Sequence, residues 1–463
     1  MADTDTLATS ERAEDDAYGL NRQTVARIIE AVETGDREQL LADLTPLHAA
    51  DIADLLEQIT AADRRRLLEL YGKDFDGDIL SELDESIREE VLSTLHPSVL
   101  ADAVRELESD DVVDLVEDLG QDQQHAILDA LEASDRVAVE TSLTYPEYSA
   151  GRLMQREVVM APEHWTVGEA IDHLRSSQDL PEQFYHIILV DPRLKPVGNV
   201  TLGKLMAARR EVALKSLVED TFHVIPVTQD EEDVAYAFNQ YHLISAPVVD
   251  ENERLVGVIT IDDAMVVLDE EHEEDILRLA GVGEQGGLSS RLMETARDRA
   301  VWLFVNLLTA ILASVVIDQF SDTIDRMVAL AVLMPIVASM GGNAGTQTMT
   351  VAVRALATRD LTARNALRVV GREVSVGAMN GLLFGLLMAG VAALWFGVPL
   401  LALVIGLAML LTQISAALGG IVIPMLLQRF GIDPALASGP FVTTITDVVG
   451  FFAFLGLASM VLL

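Results

Sequence analysis

The sequence predicts a multidomain membrane protein: a soluble part, first helical and then α/β, followed by an all-α domain of five membrane-spanning helices. Three observations lead there. Charge is divided unevenly along the 463 residues, which hold 73 acidic and 32 basic side chains in all, because residues 299–463 contain only eight Arg and seven carboxylates. The 298 residues before them carry 24 basic against 66 acidic groups, a net charge of −42. Within that acidic part a segment repeats at an offset of 59 residues. The neutral C-terminal part contains five apolar stretches that reach the roughly 20 residues needed to cross a bilayer.

Residues 1–20 are polar and acidic and are expected to be disordered. The opening MADTDTLATSERAEDD has no apolar core and does not read as a secretion signal, which places the first 298 residues in the cytoplasm. Cysteine is absent, so disulfides and thiolate metal sites are excluded. A surface this acidic repels nucleic acid and collects cations. The basic residues are 28 Arg and four Lys, a bias seen in salt-adapted proteins, so a general solvating coat competes with specific cation binding.

From 21 to 145 apolar residues recur at intervals of three and four, as in HAADIADLLEQI at 48–59, SVLADAVRELES at 98–109 and DDVVDLVEDL at 110–119. Pro46, Pro97 and Gly120 punctuate them, and the spacing predicts a superhelical stack of short helices. From 146 to 270 strands alternate with helices. HIILVDPRLKPVGNVTLGKLM at 186–206 aligns with SAPVVDENERLVGVITIDDAM at 245–265, each with a β-rich run, an Asp (Asp191, Asp250) and a Gly seven residues later (Gly198, Gly257). This duplication resembles a pair of cystathionine-β-synthase (CBS) regulatory modules, which often bind adenine nucleotides. Whether ATP binds here is not legible in the repeat. An acidic, helix-like connector reads from 262 to 298, its part after the CBS pair being 271–298, and the run DEEHEED at 269–275 within it suits either a solvated face or a coupling element. His272 within it reads as a solvated surface residue.

The spans are expected at about 299–320, 326–353, 370–396, 399–428 and 437–461. Arg354, Arg359, Arg364 and Arg368 follow the second and Arg429 the fourth, whereas Asp318, Asp322 and Asp325 follow the first. The positive-inside rule therefore puts the N-terminus in the cytoplasm and, after an odd number of spans, the C-terminus outside. The second span contains Pro335, Gly341, Gly342, Asn343, Gly345 and Gln347, a composition that predicts a broken helix with freed carbonyls. A packing notch at the paired glycines is the competing reading; Asn and Gln at the same depth favour a pore lining. The last span contains one ionisable group, Asp447. A lone carboxylate at that depth costs about 2.5–3.5 kcal/mol on insertion scales, so it is expected to face water or a partner and to serve a cation. His and Cys are missing from the spans, which disfavours a soft metal.

Along nearly its whole length the chain resembles the MgtE family of magnesium channels and transporters. PIVASMGGNAGTQ at 335–347, ATRDL at 357–361, RFGIDPALASGPFVTTITDVVG at 429–450 and YPEYSAGRLM at 145–154 carry the resemblance, together with the order of parts. It implies a homodimer in the cell (inner) membrane with its pore on the twofold axis. Asp447 is then the pore carboxylate, with Gly342, Asn343, Thr443 and Thr446 around a hydrated Mg²⁺. It also implies a gate closed by cytosolic Mg²⁺ among Asp110 and Asp114 of the helical domain, Asp230 and Glu232 of the second CBS module, and Asp263, Glu271, Glu274 and Asp275 on or near the connector. Val266 and His242 stand where the family's sensor often has carboxylates, and Ser339 and Gly439 also depart from its pattern.

The expected function is thus a magnesium-selective, channel-like importer. Two alternatives stay open: an ion-coupled divalent-cation secondary transporter, working as importer or exporter, and a membrane-anchored nucleotide sensor. No nucleophile–base pair, phosphate loop or His/Cys metal motif suggests an enzyme.

Overall fold

The structure, a computed structural model, describes residues 20–117, 119–177, 180–181, 183–282 and 292–462. The tail expected at 1–20 lies outside the described residues except for its last position, as do residues 283–291 of the expected connector. The chain divides into two compact units, one ending at Glu270 and one beginning at Glu271.

In the first unit, ten α-helices follow one another between Arg22 and Ser142. Short polar side chains start them. Asn21, Asp36 and Thr60 accept the N–H groups of Gln23, Gln39 and Asp63, and His48 forms a reciprocal capping box with Asp51. One apolar face per helix then meets the others in a single core that runs from Ile28 to Val139. This is the superhelical domain that the periodicity predicts.

The duplicated segment folds as two three-stranded sheets. In the first, β1 (Met160–Pro162) lies parallel to β2 (His186–Val190), which pairs antiparallel with β3 (Pro196–Thr201). In the second, β4 (Ile225–Pro226), β5 (Ser245–Val249) and β6 (Leu255–Thr260) repeat that order. The repeat extends to register: His186 faces Thr201 as Ser245 faces Thr260, and irregularities fall at Leu189/Val190 and Val248/Val249. Asp191 and Asp250 each accept two backbone N–H groups in the intervening turn. The aligned glycines mark close approaches. A Cβ on Gly198 would lie 2.7 Å from Val218, and one on Gly257 would lie 2.6 Å from Met154. Directly after β6 the chain enters a 19-residue helix, Ile261–Leu279.

The second unit holds five helices long and apolar enough to cross a membrane: Leu292–Asp318, Ala329–Ala357, Ala366–Phe396, Pro399–Arg429 and Pro434–Leu462. A short helix, Ser321–Arg326, stands where the sequence suggested a plain turn after the first. The fourth helix is the most buried and packs on the second, third and fifth. Gly377, Gly381 and Gly385 of the third form a small-residue edge against it; a Cβ on Gly385 would sit 2.7 Å from the Gly406 carbonyl oxygen.

The expected break in the second helix is absent. Residues 329–357 form one uninterrupted helix with Pro335 inside it. Proline at that position deprives only the Ala331 carbonyl of its usual donor. The glycines are satisfied by packing instead: a Cβ on Gly341 would meet Thr412 at 2.6 Å, and one on Gly345 would meet Val442 at 2.7 Å. The packing-notch reading of the paired glycines therefore holds for Gly341 and not for Gly342, and Gly345, one turn on, adds a second close approach.

Because the atom opposite Gly385 is backbone, Gly385→Val should force the third and fourth helices apart, at a cost of about 1–3 kcal/mol typical of overpacking. Gly390→Val, where a Cβ meets nothing within 4 Å, should be tolerated. Thermal unfolding in detergent checks this through a lower midpoint for the first variant only.

Candidate ion path and acidic cluster

The membrane site is built on the contact between the second and last helices. Gly341 and Gly345 let the second helix lie directly against Val442 and Thr446, and Thr446 is 0% exposed. Consecutive spans run in alternate directions, so these two helices are antiparallel. One residue further along an α-helix is a turn of about 100°. From those contacts, that step brings Gly342 on one helix and Thr443 and Asp447 on the other to the same side of their interface. Nothing lies within 4 Å of where a Gly342 Cβ would be, Thr443 is exposed and Asp447 is half-buried. Asn343, another step round, is exposed and turns away from the last helix.

Hydroxyl groups in this region bond to their own helix. Thr443 Oγ1 donates to the Gly439 carbonyl at 2.9 Å, Thr444 Oγ1 to Pro440 at 2.6 Å and Thr446 Oγ1 to Thr443 at 2.9 Å. The Asp447 carboxylate forms no ion pair or hydrogen bond among the described residues. Two further polar residues, not singled out in the sequence, support the site from the fourth helix. Gln413, almost fully buried, donates to the Met340 carbonyl at 3.2 Å, and buried Thr412 packs its methyl group against Gly341 and Gly450. Thr412 Oγ1 has no partner among the described residues. The adjacent Thr–Gln pair, which with Ser415 makes up the polar side chains of this helix before Gln428, was the available signal.

The soluble unit concentrates carboxylates at the start of the helix Ser109–Glu117. Asp110 is 8% exposed and accepts the Asp111 N–H at 3.0 Å. Ser109 Oγ donates to Glu157 at 2.8 Å, and Gln155 Nε2 donates to Glu108 at 2.7 Å. These bonds fasten the helical domain to the first residues of the CBS pair. Asp263 joins from the start of the Ile261–Leu279 helix, where it accepts from Thr260 Oγ1 at 2.5 Å.

Burial pushes the Glu108 carboxyl up to about 7, reinforced by Glu157 and Asp263. Asp111 also rises to about 7 through burial and the charges of Asp263 and Glu108. Asp263 rises to about 6, mainly through burial, with the Thr260 hydrogen bond opposing. Asp110 rises well above the usual carboxylate range for the same reasons, burial first and Asp263 next. The charges that act most on these groups are carboxylates, not cations. Hard oxygen donors with surplus negative charge fit a divalent ion such as Mg²⁺. Among the described residues no three His, Asp or Glu side chains converge in direct-ligation geometry.

The structure divides the expected sensor residues. Asp110 and Asp263 share this cluster, together with Glu108, Asp111 and Glu157, which sequence reading missed. Asp114 is salt-bridged to Arg88 at 2.7 Å on the surface. Asp230 caps the helix Glu231–Tyr241 by accepting the Glu232 N–H at 3.1 Å, and Glu232 sits in that helix's first turn. In the second unit, Glu274 pairs with Arg278, and Asp275 is raised by burial and by Asp433, with His272 opposing. Glu271 lies half-buried on the same helix segment.

Between the two CBS sheets His186 Nδ1 lies 2.6 Å from Ser245 Oγ. The adjoining cleft, lined by Tyr185, His186, Ser245 and Thr260, measures only about 20 Å³. Small-molecule sites usually need about 300–1,000 Å³.

A carboxylate and hydroxyl groups on a membrane helix edge, with acidic soluble domains ahead of them, fit the class of divalent-cation transporters. Residues 334–457 match the family model described as a divalent cation transporter, 47–148 the MgtE intracellular N domain, and 150–211 and 214–270 the CBS domain. The chain is 34% identical over 438 residues to the magnesium transporter MgtE of Thermus thermophilus, covering 94% of this chain and 97% of that one. It is 29% identical over 437 residues to the magnesium transporter MgtE of Bacillus subtilis, with the same coverage. The solved cytosolic domain of the Mg²⁺ channel MgtE in complex with ATP is 30% identical, covering 52% of this chain and 99% of that one at a TM-score of 0.49. The chain belongs to the MgtE family.

Carboxyls raised on folding destabilise the folded state above their folded pKa, and that penalty fades as pH falls through it towards the unfolded value. In magnesium-free buffer, lowering pH from 8 to 6 should therefore raise the amide protection factors, taken against the intrinsic base-catalysed exchange rate at each pH, in residues 109–117 and 261–266. Lower protection at pH 6 would contradict the crowding of these acids.

Proposed function

We propose that this chain is a magnesium-selective, channel-like importer that works as a homodimer and is held shut by cytosolic Mg²⁺. The observation that carries the reading is Asp447, an intramembrane carboxylate without a described partner, beside Thr443 on an edge that its own subunit leaves uncovered. A twofold axis along that edge would set two such carboxylates across one path. Mg²⁺ sheds water reluctantly, so the pair would hold the ion through its hydration shell, with Gly342 and Thr443, on the same side of the helix contact, completing the lining and with Asn343 and buried Thr446 outside it. Membrane potential supplies about 2.3 kcal/mol per charge per 100 mV, or about 4.6 for a divalent ion moving inward.

Closure is assigned to the carboxylates. Glu108, Asp110, Asp111 and Asp263 repel one another without a cation, and Mg²⁺ would favour the arrangement that gathers them. Asp114, Asp230, Glu232, Glu271, Glu274 and Asp275 are proposed as outlying members of the same acidic sensor. Cytosolic placement of these domains follows from the Arg-rich loops after the second and fourth spans, which put the N-terminus inside and the C-terminus outside.

A secondary transporter is the second reading, because an unpaired carboxylate also suits proton or sodium coupling. Mg²⁺ flux into proteoliposomes under a fixed potential, without an Na⁺ or H⁺ gradient, separates the two. Persistence supports the channel; obligatory coupling overturns it. Asp447→Asn should reduce uptake at least about tenfold, a loss of roughly 1.4 kcal/mol or more, with folding and dimerisation unchanged. Unchanged uptake would remove Asp447 from the path. Asp110→Asn with Asp263→Asn should leave flux open at internal Mg²⁺ that closes the unmodified protein.

A further inference from the structure

One end of the membrane unit gathers basic side chains that the ion path leaves unused. Leu361, buried against Ala352, Leu356 and Ile421, anchors the loop between the second and third helices. The Leu361 N–H donates to the Ala355 carbonyl at 2.7 Å, and Asn365 Nδ2 donates to the Asp360 carbonyl at 2.6 Å. Arg354, Arg364, Arg368 and Arg372 stand exposed around this loop. Arg429, at the end of the fourth helix, is exposed one turn beyond Met425, which packs on the same cluster. Residues 354–373 hold five Arg against Asp360 and Glu373, a net +3 within a chain of net −41. Arg354, Arg364, Arg368, Arg372 and Arg429 form no side-chain hydrogen bond or ion pair among the described residues. In the first unit, by contrast, Arg64, Arg88 and Arg152 each pair with a carboxylate.

Large apolar side chains stand uncovered among these cations. Leu367 is 89% exposed between Arg364 and Arg368, and Phe430 is 74% exposed beside Arg429. We propose that this end of the membrane unit is a binding surface for anionic phospholipid headgroups. Arg364 and Arg368 meet the phosphate there, and Leu367 dips into the acyl region. Guanidinium groups match phosphate oxygens in a two-pronged geometry, and an apolar side chain beside them suits the boundary between headgroups and hydrocarbon. Asn365 turns its carboxamide oxygen back to the Thr362 N–H at 2.8 Å, so the third helix starts without a side-chain cap and its first N–H groups add to the positive field. An acidic protein surface would satisfy the arginines but leave Leu367 and Phe430 bare. A second copy meeting the same patch about a twofold axis would set arginine against arginine.

The test uses the full chain in detergent, with phosphatidylglycerol or phosphatidylcholine of the same acyl chains added. Lipid affinity is read by native mass spectrometry, and the thermal midpoint is read alongside. Phosphatidylglycerol should bind more tightly and raise the midpoint further, and the difference should shrink between about 0.1 and 0.5 M salt as the charges are screened. Arg364→Gln with Arg368→Gln should weaken phosphatidylglycerol binding roughly 25-fold, about fivefold for each arginine near such a surface, and leave phosphatidylcholine binding unchanged. Leu367→Ser should weaken both lipids. Arg326→Gln, at the opposite end of the membrane unit, should change neither.

Equal affinity for the two lipids, or a preference that the double variant retains, would overturn the assignment. So would stabilisation by inorganic phosphate alone to the same extent, since the site would then take a free anion. A midpoint lowered equally in both lipids by the double variant would place the arginines against protein and remove the lipid surface. Loss of ion transport would not touch it, because the surface requires only that these helices cross a membrane.

Discussion

The architecture depends on one constraint: a carboxylate cannot stay charged and unpaired in an apolar environment without water or a cation to receive its field. Asp447 is placed under that constraint by its helix, half-buried with no described partner, on an edge that glycine packing leaves open. The surrounding residues serve the placement. Gly341 and Gly345 remove the side chains that would hold the two helices apart, Gln413 ties down the Met340 carbonyl, and the threonines bond inward to their own helix. Their backbone bonds leave little but oxygen lone pairs to face outward.

The same physics recurs in the soluble unit. Glu108, Asp110, Asp111 and Asp263 are crowded and desolvated, with burial and neighbouring carboxylates both raising their proton affinity. Protons and divalent ions relieve such crowding alike, by supplying positive charge where the chain supplies none. The two sites thus call for one kind of ligand under different dielectric conditions. A site that passes a divalent ion and a site that responds to it would both need hard oxygen donors, and carboxylates stand at both places.

Much of the fold was legible because it follows from periodicity. Alternation from three-and-four spacing to strands, and then to long apolar runs, separates the three parts, and the 59-residue offset reappears in strand register. Asp447 was legible because one charge in an apolar span has no structural excuse. The helix break was misread, since Pro335 and clustered glycines carry the same letters whether they open a helix or let another one close on it. Only the distances from Gly341 to Thr412 and from Gly345 to Val442 tell these apart. Glu108 and Asp111 were hidden because their environment is assembled from Glu157 and Asp263, which lie far away in sequence.

Net charge alone cannot distinguish a solvating coat from a sensor, but the fates of individual acids can. Asp114 is neutralised by Arg88 at the surface, and Asp230 is occupied as a helix cap. Asp191 and Asp250 hold turns together. Each has a local task that any well-folded acidic protein would need done. Asp110 is different: it is buried, faces other carboxylates and, among the described residues, accepts a single neighbouring N–H. A coat places its charges in water to lower their energy, whereas this cluster withdraws them from water and raises it. Such an arrangement makes physical sense when a cation that comes and goes restores the balance, and that dependence on occupancy is what a sensor requires.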